Sequence, residues 1–260
     1  MSTVVVTGSA GAIGSVVCAG LAERGWSVRR VDLVAGPSTR VADLTSADSE
    51  PVLASLCDGA DAVVHLAATL DQEDWPTILS ANIDATRRVL EAARRGGVNR
   101  FVYASSNHAV GYTPRGDDDL PADTPDRPDS FYGVSKVAGE ALCRLYVDRY
   151  GLTAVSLRIG SFVPEPDSER ALATWLSPAD AVRLVQAALT GPATGFHPVW
   201  GISANTRAWW SPSAGAAIGY EPRDDAEMWA ATFAGTETDP RVLTTVGGPN
   251  VVGRPWEDES

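Results

Sequence analysis

Cysteine is scarce in this sequence, and its few positions exclude two kinds of stabilised or metal-binding protein. The 260 residues include three cysteines, Cys18, Cys57 and Cys143, which lie far apart and form no CxxC pair. A disulfide framework needs paired cysteines, and a zinc site needs closely spaced cysteine or histidine ligands. We therefore expect a protein of a reducing compartment with no bound metal.

Long apolar runs and an excess of positive charge are also lacking. No run approaches the ~18–20 apolar residues of a membrane span, and no basic segment of a secretion signal precedes the first apolar run. The 21 Lys and Arg against 33 Asp and Glu give a net charge of −12, which disfavours nucleic acid or an anionic membrane as a partner. We expect a cytoplasmic protein in which a locally placed arginine or lysine holds any anionic ligand.

Short apolar runs alternate with helical patterns through the first 160 residues, in a chain that is 44% hydrophobic. The runs lack the alternation of half-exposed strands and are typical of buried ones. Strands are predicted at 3–7, 28–33, 62–66, 100–104 and 154–159, and helices at 12–24, 49–57, 77–95 and 130–150. Such repetition predicts an α/β protein with a Rossmann-type, doubly wound parallel sheet.

The pattern changes after Gly160. Prolines interrupt it, one further capped helix is predicted at 177–189, and six of the eight tryptophans follow residue 170. We expect residues 1–160 to form a nucleotide-binding domain and residues 161–260 a small substrate lobe packed on it as one structural unit. The acidic, proline-rich stretch 112–129 reads as a solvated loop.

A glycine-rich turn directly follows the first predicted strand. Gly8, Gly11 and Gly14 stand in a GxxGxxG spacing, where backbone N–H groups and a helix N-terminus can receive a pyrophosphate. Asp32 ends the second strand, where an acid can accept both ribose hydroxyls of the adenosine and would repel a 2′-phosphate. NAD is therefore favoured over NADP. Arg29 and Arg30, just before Asp32, could nevertheless bind the 2′-phosphate of NADP.

Tyr132 and Lys136 lie four residues apart at the start of a long predicted helix and share one face of it. A nearby ammonium lowers the pKa of a phenol, so that Tyr132 can take a proton from an alcohol. Ser105 and Ser106 follow a strand, at the sheet edge where parallel sheets bind ligands. A serine there can hydrogen-bond the same substrate oxygen.

These motifs together resemble the extended short-chain dehydrogenase/reductase superfamily, in the NAD-dependent epimerase/dehydratase branch. A further set, including 104–108, 127–129, 158–161 and 203–205, is similar to the bacterial uronate dehydrogenases, which oxidise glucuronate or galacturonate at C1 to the aldarolactone with NAD. The resemblance implies that Ser106, Tyr132 and Lys136 are catalytic. It implies NAD contacts at Gly8, Gly11, Ala12, Ile13, Gly14, Asp32, Asp43, Leu44, Leu66, Ala67, Ala68, Tyr132, Lys136 and Ile159.

The resemblance further implies a sugar-acid substrate held by Ser106, Asn107, His108, Tyr132, Ser161 and Arg170, and a homo-oligomer. Arg170 matches the carboxylate-binding arginine, since a guanidinium grips a carboxylate through two parallel hydrogen bonds. Two positions depart from the family: Leu70 stands where a substrate-contacting serine is usual, and Asn250 where an aromatic residue is usual. Asn82 matches a supporting amide, and His65, Trp175, Trp200, Trp209 and Trp210 read as structural residues.

Three other functions stay open from the sequence alone. A sugar epimerase or dehydratase would retain NAD and return the hydride, but only about a hundred residues follow Gly160, which is little for the nucleotide-sugar lobe of those enzymes. A non-catalytic NAD-binding sensor would have no use for the serine, tyrosine and lysine set. A dehydrogenase acting on a different sugar also remains an alternative.

Overall fold

A computed structural model of the chain describes residues 1–70 and 74–252. Seven parallel strands form its main sheet, in the spatial order β3-β2-β1-β4-β5-β6-β9. These strands are β1 Thr3–Thr7, β2 Ser27–Asp32, β3 Thr39–Val41, β4 Ala62–His65, β5 Arg100–Ser106, β6 Thr153–Ile159 and β9 Phe196–Gly201. Two short strands, β7 Ser161–Phe162 and β8 Trp175–Leu176, pair with each other beside it.

Helices cover both faces of the sheet. They are α1 Ala12–Glu23, α2 Glu50–Cys57, α3 Trp75–Ile78, α4 Ala85–Arg95, α5 Phe131–Tyr150, α6 Ala171–Thr174, α7 Pro178–Thr190, α8 Ser213–Ala217 and α9 Pro240–Thr244. Short 3₁₀ helices lie at Ala47–Ser49, Asn107–Val110, Ala226–Phe233 and Gly248–Val251. The predicted doubly wound parallel sheet is confirmed.

Successive residues of the central strand β1 supply two separate cores. Val4 and Val6 pack with α1 and α7 on one face, whereas Val5 packs with α2, α4 and α5 on the other. All three valines are fully buried, and each such side chain contributes roughly 1.5–3 kcal/mol of burial free energy. A strand covered on both sides must be apolar throughout, which explains why its sequence shows no alternation.

The strand order reverses between β1 and β4, and this positions the site. From β1 the chain adds β2 and β3 toward one edge of the sheet. It then returns to β4, on the other side of β1, and adds β5 toward the opposite edge. A crevice opens at such a switch point beyond the carboxyl ends of the strands. The glycine turn after β1, residues 66–68 after β4 and Ser106 at the end of β5 all lie at this edge.

The helix predicted at 77–95 is interrupted by a π-helical segment, Leu79–Asp84, between α3 and α4. Asn82 lies in it, and its side chain accepts from Thr69 N and donates to Thr69 O and to Ser135 Oγ at 2.8–3.1 Å. Its carbonyl accepts the Thr86 hydroxyl. These tertiary partners select the wider helical turn, which the sequence periodicity does not reveal.

The C-terminal part of the chain contributes to the main sheet. β9 pairs in parallel with β6, and α7 packs beside α1. Sequence reasoning missed β9, since His197 and Pro198 weaken its strand pattern. The assignment of nucleotide binding to residues 1–160 and of substrate binding to residues 161–260 stays a prediction.

The stretch 112–129 is partly buried, so the prediction of a solvated loop is wrong for its middle. Ala122 and Thr124 are at most 8% exposed. The carbonyl of Leu120 accepts from Trp200 Nε1, and the carbonyl of Thr124 accepts from Arg158. Within residues 1–70 and 74–252, no helix is long and apolar enough to cross a membrane.

Candidate active site

A cavity of about 430 Å³ opens at the carboxyl edge of the sheet, and we call it the main cavity. It brings together residues from the glycine turn, from the ends of β4, β5 and β6, and from the start of α5. Its lining consists of Gly8, Gly11, Ala12, Ile13, Gly14, Leu66, Ala68, Leu70, Ala104, Ser105, Ser106, Asn107, His108, Tyr132, Lys136, Ile159, Gly160 and Phe162.

The glycine turn forms a cradle that side chains would fill. Gly8 has φ +66°, a conformation that favours glycine, and a Cβ there would lie 2.7 Å from the backbone nitrogen of Ala67. A Cβ at Gly14 would collide with the carbonyl oxygen of Gly8. Gly11 is the N-cap residue of α1 and has no side chain that could accept a hydrogen bond. The first N–H groups of the helix therefore have no side-chain cap at this position.

Asp32 lies beside this turn, at the end of β2. Its carboxylate accepts hydrogen bonds from the backbone nitrogens of Ala10 at 2.8 Å and of Val34 at 3.0 Å. These bonds hold the carboxylate near the glycines without using all its lone pairs. Asp32 is thus placed as predicted, although it does not line the main cavity.

Five other predicted cofactor or substrate residues also lie outside the lining of the main cavity, and the fifth, Arg170, is described below. Asp43 accepts from the backbone and hydroxyl of Thr45, which is a local turn, and Leu44 is buried in the core beside α2. The backbone of Ala67 donates to Thr7 Oγ1. Ser161 is the fourth, and its hydroxyl hydrogen-bonds Thr174 at 2.9 Å.

Tyr132 is 8% exposed in the first turn of α5, which Ser130 caps by accepting from the backbone of Gly133 at 3.0 Å. Burial raises the pKa of Tyr132 to about 12, and the hydrogen bond with the Ser106 hydroxyl acts in the opposite direction. The two side chains predicted to share a substrate oxygen therefore lie close together in the main cavity. An interaction that favours the phenolate already exists within the protein.

Lys136 lies one helical turn beyond Tyr132. Its ammonium lies 5.2 Å from the centroid of the Tyr132 ring and donates to the carbonyl of Ala104 at 2.9 Å. Burial lowers the pKa of Lys136 to about 8. A cation held this close to the phenol favours its ionised form.

A third residue on the same face of α5, Glu140, explains the difference between the two serines. Ser105 donates to Glu140 Oε1 at 2.7 Å, so its hydroxyl is already engaged by a buried carboxylate. Arg158 donates to both oxygens of Glu140, and each side chain is at most 2% exposed. Sequence reasoning missed this buried pair. Through Ser105 and Arg158 it connects α5 to the ends of β5 and β6.

Arg170 lies just outside the main cavity, in a smaller cavity of about 130 Å³ that we call the Arg170 cavity. Its guanidinium donates to the carbonyl of Val246 and, at 3.4 Å, to the hydroxyls of Ser161 and Thr174. Among residues 1–70 and 74–252, Nε of Arg170 has no hydrogen-bond partner, and its other nitrogens donate to a carbonyl and two hydroxyls rather than to a carboxylate. Burial lowers the pKa of Arg170 to about 10, while Asp129 and Asp167 act in the opposite direction.

Arg170 is connected to the main cavity through the carbonyl of Val246, which accepts hydrogen bonds from two side chains. Asn107, which lines that cavity, donates its amide to the same Val246 carbonyl at 2.8 Å. Ser161 follows the lining residue Gly160 directly. Of the predicted substrate residues, the structure thus brings Ser106, Asn107, His108 and Tyr132 into one cavity and keeps Ser161 and Arg170 one contact away.

The residues expected to be structural are buried. His65 links Thr7 and Thr86 at 2.7 and 2.9 Å, and Trp200 stacks on Trp210 with ring centroids 4.4 Å apart. At the two departures from the family pattern, Leu70 is 74% exposed at the rim of the main cavity. Asn250 lies 3.2 Å from the ring nitrogen Nδ1 of His108.

Comparison with known proteins places the chain in a family. A model of the NAD dependent epimerase/dehydratase family matches residues 4–198. The chain belongs to this family. A uronate dehydrogenase of Pseudomonas putida is 38% identical over 257 residues, 95% of each chain, and one of Agrobacterium fabrum is 40% identical over 246 residues, 92% of this chain and 91% of that one.

A solved structure is similar throughout. A mutant of uronate dehydrogenase from Agrobacterium tumefaciens, crystallised in complex with NAD, has a TM-score of 0.88 at 37% identity and covers 98% of each chain. Like the rest of the family, the present chain depends on NAD. The glycine cradle, the uncapped N-terminus of α1 and the Asp32 carboxylate fit a dinucleotide, because they offer donors to a pyrophosphate and an acceptor to a ribose.

Proposed function

We propose that this protein is an NAD-dependent uronate dehydrogenase that oxidises the C1 hydroxyl of a hexuronate, such as glucuronate or galacturonate, to the aldarolactone. The observation that carries the proposal is Arg170, a half-buried guanidinium without a carboxylate hydrogen-bond partner, one contact away from the cavity that Ser106 and Tyr132 line. A desolvated cation is costly unless an anion compensates it. A uronate supplies that anion on the substrate carbon farthest from C1.

Bound NAD supplies the hydride acceptor. Tyr132, as the phenolate, would take the proton of the C1 hydroxyl as the C1 hydrogen leaves with its bonding electrons. Ser106 hydrogen-bonds the reacting oxygen and Tyr132, and the Lys136 ammonium favours the phenolate. The C1 carbon of a hemiacetal thereby becomes the carbonyl carbon of a lactone, with two electrons and one proton removed from C1 and one proton from its oxygen.

The remaining site residues take supporting roles in this proposal. Asn107, His108 and Ser161 bind sugar hydroxyls, and the cradle residues with Asp32, Asp43, Leu44 and Ile159 bind NAD. We also infer that the 161–260 part supplies carboxylate recognition and that copies of the chain form a homo-oligomer. Sedimentation velocity of the purified protein tests the last point, and a monomer at micromolar concentration would contradict it.

The first test is the appearance of NADH when purified protein receives NAD with glucuronate, galacturonate, glucose or galactose. Turnover of the uronates with little or none of the neutral sugars is the expected result. Turnover with NADP in place of NAD would show that Asp32 does not exclude a 2′-phosphate. If NAD stays bound through purification and no sugar is oxidised, an NAD-retaining epimerase replaces the present proposal.

Substitution of Arg170 tests carboxylate recognition. Arg170→Gln removes a charged donor, so we expect KM for uronates to rise roughly 10- to 100-fold, with little change in KM for a neutral aldose. Steady-state kinetics on both substrates measure the difference. Arg115→Gln, which changes another arginine lining the Arg170 cavity, is the matched control. An equal effect of Arg170→Gln on both sugars would remove its proposed role.

A further inference from the structure

Asp129 is a buried carboxylate beside the main cavity. Its side chain has no exposed surface, and its Oδ2 lies 2.8 Å from Nδ1 of His108. Its Oδ1 accepts the hydroxyl of Ser130, the residue that caps α5, at 3.0 Å. A carboxylate this buried must be paired, and these two side chains are the partners that the structure gives it.

Glycine backbones enclose the carboxylate on its other sides. A Cβ atom at either Gly111 or Gly247 would collide with Oδ2 of Asp129. The two glycines are themselves joined, since the backbone nitrogen of Gly247 donates to the carbonyl of Gly111 at 2.8 Å. The carboxylate is therefore held in one position relative to His108 and to the first turn of α5.

This position determines where the imidazole proton lies. A carboxylate only accepts hydrogen bonds, so Nδ1 of a neutral His108 carries the proton and Nε2 carries a lone pair. The amide nitrogen of Asn250 also lies 3.2 Å from Nδ1, but a nitrogen that donates to a carboxylate cannot accept from an amide. The shorter contact, to Asp129, decides the tautomer.

We propose that Asp129 is a positioning residue that makes Nε2 of His108 an acceptor for the C2 hydroxyl of the substrate; this rests on the proposed function. His108 lines the main cavity, and its ring lies edge-on to that of Tyr132, with centroids 5.9 Å apart. Tyr132 serves the C1 oxygen, so the neighbouring ring nitrogen meets the hydroxyl on the adjacent carbon. A hydroxyl can donate there, whereas a substrate without one leaves Nε2 unpaired.

The tautomer is measured without substrate, by ¹⁵N–¹H correlation spectra of the histidine side chains at about pH 8, where free imidazole is neutral. The chain has three histidines, so His108→Ala assigns the signal. We expect the Nδ1-protonated form of His108 in the wild type and mainly the Nε2-protonated form in Asp129→Asn. An Nε2-protonated His108 in the wild type would overturn the inference, whatever the protein oxidises.

The substrate side is measured as the ratio of kcat/KM for glucuronate to that for 2-deoxyglucuronate. We expect the wild type to prefer glucuronate about tenfold or more, and Asp129→Asn to lose most of that preference. In a His108→Ala background, Asp129→Asn should change the ratio no further, because it acts through His108. An unchanged ratio in Asp129→Asn would overturn this step even if uronates are good substrates.

A matched control separates this effect from electrostatics at Arg170. Asp129 and Asp167 both act on the pKa of Arg170, but the exposed Asp167 does not contact His108. The two substrates carry the same carboxylate, so any change at Arg170 cancels in the ratio. Asp167→Asn should therefore leave both the ratio and the His108 spectrum unchanged, and a change equal to that in Asp129→Asn would contradict the proposal.

Discussion

Opposing influences act on the pKa of Tyr132 at the centre of the proposed site. Burial raises it to about 12, and the hydroxyl of Ser106 counteracts burial by hydrogen-bonding the phenol. Lys136 adds a positive charge 5.2 Å from the ring, although its own pKa is lowered to about 8 by burial. The pKa of the proposed base thus depends on its neighbours. Ser106 comes from the end of β5, and Lys136 comes from the next turn of α5.

Removing the Tyr132 hydroxyl should abolish turnover and leave cofactor binding intact. Tyr132→Phe loses the proton acceptor, so we expect kcat to fall roughly 10²- to 10⁴-fold. The Kd for NAD, measured by titration calorimetry, should change less than about twofold. Tyr146→Phe on the same helix, whose hydroxyl meets Glu91 at 3.1 Å, is the control. Comparable activity in Tyr132→Phe would refute the mechanism.

A second prediction at this scale concerns His65. Burial, with a smaller contribution from Lys136, lowers the pKa of His65 to about 3, so the folded protein keeps it neutral. The unfolded chain binds its proton near pH 6.5, and stability is therefore lost as the pH falls below that value toward 3. Between about pH 8 and pH 5 we expect His65 alone to contribute a loss of about 2 kcal/mol.

Urea unfolding at both pH values measures this loss. His65→Gln should be less stable at about pH 8 but should lose less stability on acidification than the wild type. His197→Gln, at a histidine of the edge strand β9, should follow the wild type. If His65→Gln showed the same loss on acidification as the wild type, other groups would account for the acid sensitivity.

At the scale of elements, α1 and α7 pack against each other at a glycine, Gly20 of α1, which faces Val182 of α7. A Cβ atom at Gly20 would lie 2.5 and 2.7 Å from the two methyl groups of Val182. This contact brings the C-terminal helix α7 against the helix that follows the glycine turn. The position of α1, and with it the cradle for NAD, therefore depends on a residue far along the chain.

Gly20→Ala should destabilise the protein, although alanine is the better helix former by about 1 kcal/mol. Valine is stiff and cannot move aside, so we expect a net loss of about 1–3 kcal/mol in the free energy of unfolding. In the double variant with Val182→Ala the two losses should be clearly less than additive in urea unfolding. Full additivity would show that the two helices do not meet at this pair.

At the scale of the whole molecule, one core includes both ends of the chain. Val4 and Leu21 share a cluster with Leu184, Val199 and Tyr220, so the sheet face around β1 is covered by C-terminal residues. The second face is covered by helices from the first 150 residues. The proposed nucleotide-binding part thus buries one face with its own helices, whereas the other face is buried by α1 and C-terminal residues together.

A fragment of residues 1–160 should therefore fail to fold. It would expose the apolar face that α7 and β9 cover, and would leave β6 as an unpaired edge strand. We expect circular dichroism of the fragment to show no cooperative thermal transition, whereas the full chain unfolds in one transition. A cooperative transition of the fragment would show that residues 1–160 are an independent domain.

Local patterns made much of the fold and site predictable. β1 was predicted to the residue, and Tyr132 and Lys136 share a helix face as their spacing requires. The glycine turn, Ser106 and His108 meet at one edge because all parallel strands end there. For these features the determining interactions lie within a few residues along the chain, or follow from the topology of the sheet.

Other features depend on contacts between residues far apart in sequence, and only the folded structure reveals them. The π-helical turn at Asn82 exists because its amide meets Thr69 and Ser135, and β9 joins the sheet although its sequence is a weak strand pattern. Asp129 reads as a solvated loop residue until Gly111 and Gly247 enclose it against His108. Burial and pairing set the chemistry of such a group, and both arise only when distant segments pack together.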